Sequence, residues 1–202
     1  MTMRDGGFSG SGRGDAASAG VAFEAQRAHL EVQLTRYVER HPEDAATVGR
    51  FRELLDEGRR AFVREHHGGH FTAFAPELGS IVRTHHRKLD IWIQLGGHAD
   101  GEADLATAAR REAEEEAGLS GLRLASPEIV DIDIHPIPAH GAEPAHEHYD
   151  VRFAFVAAGG RDLFVSDESH DLAWVAVGRI GDYSEEASLH RAVTRALAQL
   201  RD

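Results

Sequence analysis

The sequence predicts an α/β fold in which a sheet is covered by helices on both faces and a helical extension precedes it. Three observations lead there. Short strand-like runs lie scattered between residues 71 and 177, a helix-like run interrupts them at 104–117, and another closes the chain. Ahead of them, residues 21–65 show only helical apolar spacing.

Met1 to about Gly20 is rich in Gly, Ser, Ala and Asp and holds almost no large apolar residue, so 1–20 is expected to be a disordered tail. From Val21 the pattern turns helical, giving an extension over 21–66. Leu30, Leu34, Tyr37 and Val38 recur at three- and four-residue spacing, and Phe51, Leu54, Leu55, Phe62 and Val63 repeat it. His41-Pro42 separates the two runs, because the residue before proline is biased away from helix. Two helices follow from this. They pack on the main domain or pair with a second copy, the latter making a homodimer.

The main domain is expected over 67–202. His67-Gly68-Gly69-His70 ends the helical pattern, and strand candidates follow at Phe71–Ala75, Ser80–His85, Ile91–Gln94, Ile129–Ile134, Tyr149–Ala157 and Leu172–Val177. In the fourth of these, Asp131, Ile132, Asp133 and Ile134 place acids and aliphatics on opposing faces. A helix is expected at Asp104–Ala117. Another begins after Asp182-Tyr183-Ser184-Glu185, which reads as a capping box before Leu189, Val193, Ala196, Leu197 and Leu200. No internal repeat is seen.

Composition narrows the function. Hydrophobic residues make up 42% and charged residues 28%, which is ordinary for a soluble globular protein. No apolar run reaches about 18 residues, so no membrane span is expected. No secretory leader is expected at the N-terminus either. Cysteine is absent, which removes disulfides, thiolate nucleophiles and zinc–thiolate sites and fits a reducing cytoplasm. The net charge of -12 argues against a nucleic-acid duplex as partner. It leaves room for a phosphorylated small molecule, because bound divalent cations reverse the local field.

The chemistry concentrates in Gly96-Gly97-His98-Ala99-Asp100-Gly101-Glu102-Ala103-Asp104 and the helix after it. At about 100° per residue, Glu112, Glu115 and Glu116 fall within an arc of roughly 100°. Ala106, Ala109, Ala113 and Ala117 form a neighbouring small-residue stripe that lets the helix sit close to the sheet. Gly118 ends the helix. Clustered carboxylates repel one another and are stabilised by hard cations, which prefer oxygen ligands. Arg111 is placed to hold one glutamate by an ion pair. A run of acids alone is usually a solvated helix face; the Gly-Gly loop, the arginine and the terminal Gly-Leu set this one apart.

These residues resemble the Nudix box: Gly, five residues, Glu, seven residues, then Arg-Glu-aliphatic-any-Glu-Glu-any-Gly-aliphatic. Gly97, Arg111, Glu112, Ala113, Glu115, Glu116, Gly118 and Leu119 match in register. One position departs: Ala103 stands where the first glutamate is expected, with Glu102 just before it. The resemblance extends to His70-Phe71-Thr72-Ala73, to Thr84-His85-His86-Arg87-Lys88-Leu89 with Trp92, to His146 through Phe153, and to Glu168 followed by Trp174, which look like one bacterial Nudix group. It implies an α/β/α sandwich with a mixed sheet, a requirement for Mg2+ or Mn2+, and hydrolysis of a phosphoanhydride bond in a nucleoside diphosphate derivative. It implies Glu112, Glu115 and Glu116 as metal ligands, backbone contacts from the Gly97 region, and Arg111 orienting a glutamate. The general base is either a box glutamate or a later-loop acid, for which Glu168 is the candidate.

Fourteen histidines are many for this length. His85, His86, His98, His135, His146 and His148 flank the expected strands, and His146 and His148 share a face if that segment is extended. His98, His146, His148 and Arg87 are the candidates for contacting substrate. Imidazole also suits transition metals, so a metal role stays open. The competing readings are a non-catalytic Nudix-fold nucleotide sensor, an isoprenoid diphosphate isomerase of the same fold, and a His-rich metal-binding protein. The isomerase, as the resemblance implies it, needs a cysteine that this chain lacks.

Overall fold

The computed structural model describes residues 12–66, 68–74, 80–86, 91–157, 162–164 and 169–199. The first helix, α1, spans Gly12–Arg40, and α2 spans Ala45–Leu55. Between them His41-Pro42 opens a short 3-10 turn at Pro42–Asp44, as proline at a helix start dictates. A second 3-10 turn, Gly58–Phe62, takes up the residues expected to prolong α2. The expected tail over 1–20 is overtaken at its end, since 12–20 is helical. The Arg59 guanidinium donates to the Ala19 carbonyl at 3.0 Å, which ties this end of the helix to the rest of the extension.

Four strands form a mixed sheet: β1 (His70–Phe74), β4 (Gly96–His98), β6 (Asp131–Ile137) and β7 (His146–Arg152), in the order β4-β1-β7-β6. The β1–β7 pair is parallel and the other two are antiparallel. Three more strands, β2 (Ser80–His86), β3 (Ile91–Gln94) and β9 (Ser169–Ala176), form an antiparallel sheet. A small ladder joins β5 (Leu122–Leu124) to β8 (Phe155–Ala157). Strands β4 and β5 fall in stretches where no strand was expected. The run at 149–157, expected as one strand, breaks at Phe153 and Ala154. Both are buried, and the chain leaves one sheet there for another.

Side chains alternate across the four-stranded sheet, and the two faces differ sharply. Phe71 and Ala73 of β1, Tyr149 and Val151 of β7, and Ile132 of β6 face one side and are buried. Leu30, Leu34 and Tyr37 of α1 and Val48 and Phe51 of α2 belong to the same apolar core. Phe71 packs between Phe62 (4.9 Å between centroids) and Phe51 (5.9 Å). The extension therefore packs on the domain of its own chain. Gln33 donates to the Pro127 carbonyl at 2.7 Å, and Arg40 donates to the Ile129 carbonyl at 3.0 Å.

The other face is polar, and the last helix, α4 (Ala187–Gln199), supplies the partners at its far end. Asp131 is fully buried, not solvated as a half-exposed alternating strand would have it. Its carboxylate accepts from Arg152 at 2.9 Å, from Arg191 at 2.9 Å and from Arg195 at 2.6 Å. Arg152 is 1% exposed and also donates to Asp150 at 3.1 Å and to the Ser188 hydroxyl at 3.2 Å. Arg195 continues to Asp44 and the Tyr37 hydroxyl, so helices from both ends of the chain meet at one carboxylate. The expected capping box is displaced. Val177–Asp182 is a 3-10 turn, and Ser184 instead accepts from the Glu186 N–H at 3.2 Å.

Removing the hub takes a shared carboxylate from three guanidiniums at once, leaving each with fewer partners. Asp131→Ala is expected to cost about 3–5 kcal/mol. Urea unfolding checks this, and a loss below about 1 kcal/mol would show that solvent already screens the network.

Candidate catalytic and metal-binding site

Helix α3 spans Leu105–Ala117 and is capped at both ends by its own sequence. The Asp104 side chain accepts from the Thr107 N–H at 3.2 Å and from its hydroxyl at 3.0 Å. Gly118 closes the helix at φ 63°, a left-handed conformation that costs glycine nothing. Leu105, Ala108, Ala109, Ala113 and Ala117 are buried, whereas Ala106, expected in the stripe, is only half-buried. The small face brings the α3 backbone close to β1 and β4.

That approach assembles the box around the β4 backbone. A Cβ built on Gly97 would lie 2.7 Å from the Glu112 Cδ, so glycine here lets the carboxylate cross the strand, and a larger residue would make the end of that side chain move. Arg111 ion-pairs with Glu112 at 2.6 Å and reaches Glu115 at 3.4 Å. Its other nitrogen donates to the His98 carbonyl at 3.0 Å. Glu116 accepts from the Gly96 N–H at 3.0 Å. Burial pushes the Glu112 carboxyl above its ordinary value, against the pull of Arg111. The Glu115 side chain, 63% exposed, is the most open of the three.

Glu102, the substitute for the missing box glutamate, is turned elsewhere. It accepts from Gln26 of α1 at 3.0 Å and from the Asp104 N–H at 2.8 Å, which fixes the entry to α3. Ala103 beside it is buried. Arg87 and Glu168 lie outside the described residues.

The histidines form a second group. His98 follows Gly97 in β4, so its side chain takes the face opposite the one toward which Gly97 turns. Strand register explains the rest: His98 pairs with Thr72, His70 with His148, and His135 with His148. Each strand of the sheet thus contributes an imidazole to the polar face, and His146 adds another from β7. The His70 ring lies 4.9 Å from that of His98 and 4.8 Å from that of His148, centroid to centroid. The structure therefore gathers Arg111, Glu112, Glu115 and Glu116 at Gly97, and His98, His146 and His148 across the strand from them. His70, buried at the middle of the second group, was not singled out in the sequence. The one available signal was polar–apolar alternation in His70-Phe71-Thr72-Ala73.

The family model for the NUDIX domain matches residues 77–197. Among solved structures, the E. coli dihydroneopterin triphosphate pyrophosphohydrolase superposes with a TM-score of 0.51 at 14% identity, over 64% of this chain and 95% of that one. A NUDIX family hydrolase from Clostridium perfringens gives a TM-score of 0.48 at 20% identity, over 64% of this chain and 97% of that one. A C. elegans Ap4A hydrolase gives 0.44 at 16% identity, over 66% and 96%. No curated protein matches the sequence.

The buried imidazoles carry a pH signature. Burial, reinforced by the neighbouring imidazoles, pushes His70 down to about 4, and His148 is lowered for the same reasons. Both are neutral when folded and protonate when unfolded near the ordinary value of 6.5. Unfolding therefore takes up protons below that pH. This contribution is complete above about pH 6.5 and is lost as the pH falls toward about 4. In chelator-treated protein the thermal midpoint is expected to fall between about pH 6.5 and 5, above the range in which ordinary carboxylates titrate. A flat midpoint there would show that the rings are solvated.

Proposed function

The chain belongs to the Nudix family of pyrophosphohydrolases, and on that premise we propose that it hydrolyses a phosphoanhydride bond in a nucleoside diphosphate derivative with Mg2+ or Mn2+. The observation that supports this most directly is the packing of the Glu112 carboxylate across the Gly97 backbone, where a Cβ would collide. Beside it, Glu115 and Glu116 complete an oxygen donor set of the kind hard divalent cations take. Among the described residues Arg111 pairs with Glu112 and Glu115, and three clustered carboxylates are the kind of oxygen donors that fit a metal of this class.

Glu112, Glu115 and Glu116 would hold the ion, which supplies neutralisation of the phosphate oxygens and activation of a water. Arg111 keeps Glu112 and Glu115 on the same side of the helix and ties them to the β4 backbone through the His98 carbonyl. Glu116 holds the Gly96 N–H, which sets the course of the strand past the helix. Glu115, the most exposed, takes the proton from the attacking water. The water oxygen bonds to phosphorus, the bridging P–O bond breaks, and its electron pair leaves with the departing phosphate. The net charge of -12 makes the reading depend on that metal, since the protein's own field repels an anionic substrate.

The test is release of phosphate or nucleotide from a panel of nucleoside diphosphate derivatives with Mg2+, Mn2+ or chelator. Turnover of at least one compound with metal is expected, and Glu115→Gln is expected to lower it at least about a hundredfold. Gly97→Ala, which displaces the Glu112 carboxylate, is expected to cost about the same, on the scale of an ångström's misplacement. Metal-dependent binding without turnover would instead support a nucleotide sensor.

A further inference from the structure

The imidazole group on the polar face of the sheet is built as a metal site in its own right. His70, His98 and His148 each present a ring nitrogen within 4.8 Å of the other two, from β1, β4 and β7. His70 is fully buried, and among the described residues neither of its ring nitrogens makes a well-formed hydrogen bond, though the His66 backbone acts on the ring. Burying an imidazole without a well-formed partner is unfavourable, and a ligand on its lone pair would relieve that. His146 stands next to the group. Its Nδ1 lies 3.0 Å from the Pro144 carbonyl, which places the ring proton there and leaves Nε2 as a lone pair. That Nε2 is 3.2 Å from the His148 Nε2, close to the about 3.3 Å that separates two nitrogens on one tetrahedral zinc.

The surroundings suit a cation. Glu143 lies 3.8 Å from the His146 Nε2. The buried Asp150 carboxylate lies 3.5 Å from His135 and is already held by Thr72 and Arg152. Arg64, the basic side chain nearest in effect to His98, is neutralised by a bidentate pair with Asp100 at 3.0 and 2.7 Å.

We propose that His70, His98 and His148 bind a divalent transition metal of the zinc class, with His146 nearest the fourth position, at a site separate from the box carboxylates. All-nitrogen donors select zinc-class ions over magnesium, so the two sites discriminate by ligand chemistry. The ring nitrogens lie within 4.8 Å of one another, so binding one ion requires the rings to close in. His98 joins the two sites: its side chain faces the metal while its carbonyl accepts from Arg111. A bound ion therefore also stiffens β4 where the box is assembled. The proposal goes beyond the hydrolase reading and stands whether or not any nucleotide is turned over.

The experiment is calorimetric titration of chelator-stripped full-length protein with Zn2+ in excess Mg2+, repeated with Co2+ followed by visible absorption. One tight equivalent of Zn2+ is expected, with a rise in thermal midpoint and the intense absorption of four-coordinate Co2+. His98→Gln is expected to weaken Zn2+ at least about a hundredfold, no less than loss of an outer-shell partner can cost. Glu115→Gln is expected to leave Zn2+ affinity unchanged. His70→Leu tests the buried ligand if circular dichroism shows it folded; His98→Gln decides otherwise. Zn2+ binding that survives both His98→Gln and His148→Gln, that is lost in Glu115→Gln, or that gives weak octahedral Co2+ absorption would overturn the proposal. So would the absence of stoichiometric binding.

Discussion

Everything in this molecule is arranged about the pleat of one four-stranded sheet. Because successive residues of β1, β4, β6 and β7 turn to opposite faces, each strand carries two chemistries at once. One face is apolar and receives α1, α2 and α3 in a single core. The other gathers imidazoles at one end and an ion network at the other. Water would not tolerate the first face, and a hydrocarbon core would not tolerate the second. Helix placement follows from that division.

The polar face shows how buried charge is made bearable. Arg152, Asp131 and Asp150 are each at most 1% exposed, and any of them alone would cost more in lost hydration than its burial returns. Together they are paired charge to charge, because neighbours on β6 and β7 face one another and α4 adds Arg191, Arg195 and Ser188. Tyr37 and Asp44 carry the network into the N-terminal helices. The extension is thus fastened by specific polar geometry as well as by Leu30, Leu34 and Phe51 in the core. Such a hub does less for stability than its bond count suggests, and more for choosing one arrangement of helix and sheet.

The carboxylate site was largely legible in the sequence, because it is local. Glu112, Glu115 and Glu116 lie within one helical arc, and the cap at Asp104 and stop at Gly118 are set by their own residues. The histidine site was not legible as a group. His70, His98 and His148 are far apart in the chain and meet only through strand register, which no periodicity encodes. The same holds for Asp131: its acid-aliphatic alternation placed it on a polar face, but did not place the arginines of α4 that lie against it. Strands β4 and β5 are three residues each, too short for alternation to register. The helical stretch at 12–20 was missed for the opposite reason. Gly, Ser and Asp signal disorder by composition, whereas a long helix anchored further on extends into them.

Gly97 and His98 are adjacent on β4, one turned toward the carboxylates and the other toward the imidazoles. The two faces are therefore locked in phase by a single peptide unit. Substitutions at surrounding positions alter one face at a time, but insertion or deletion of one residue before Gly97 exchanges both. Over generations this short strand should accept changes of letter far more readily than changes of length. Variation in length among descendants of this gene should fall on the turns to either side.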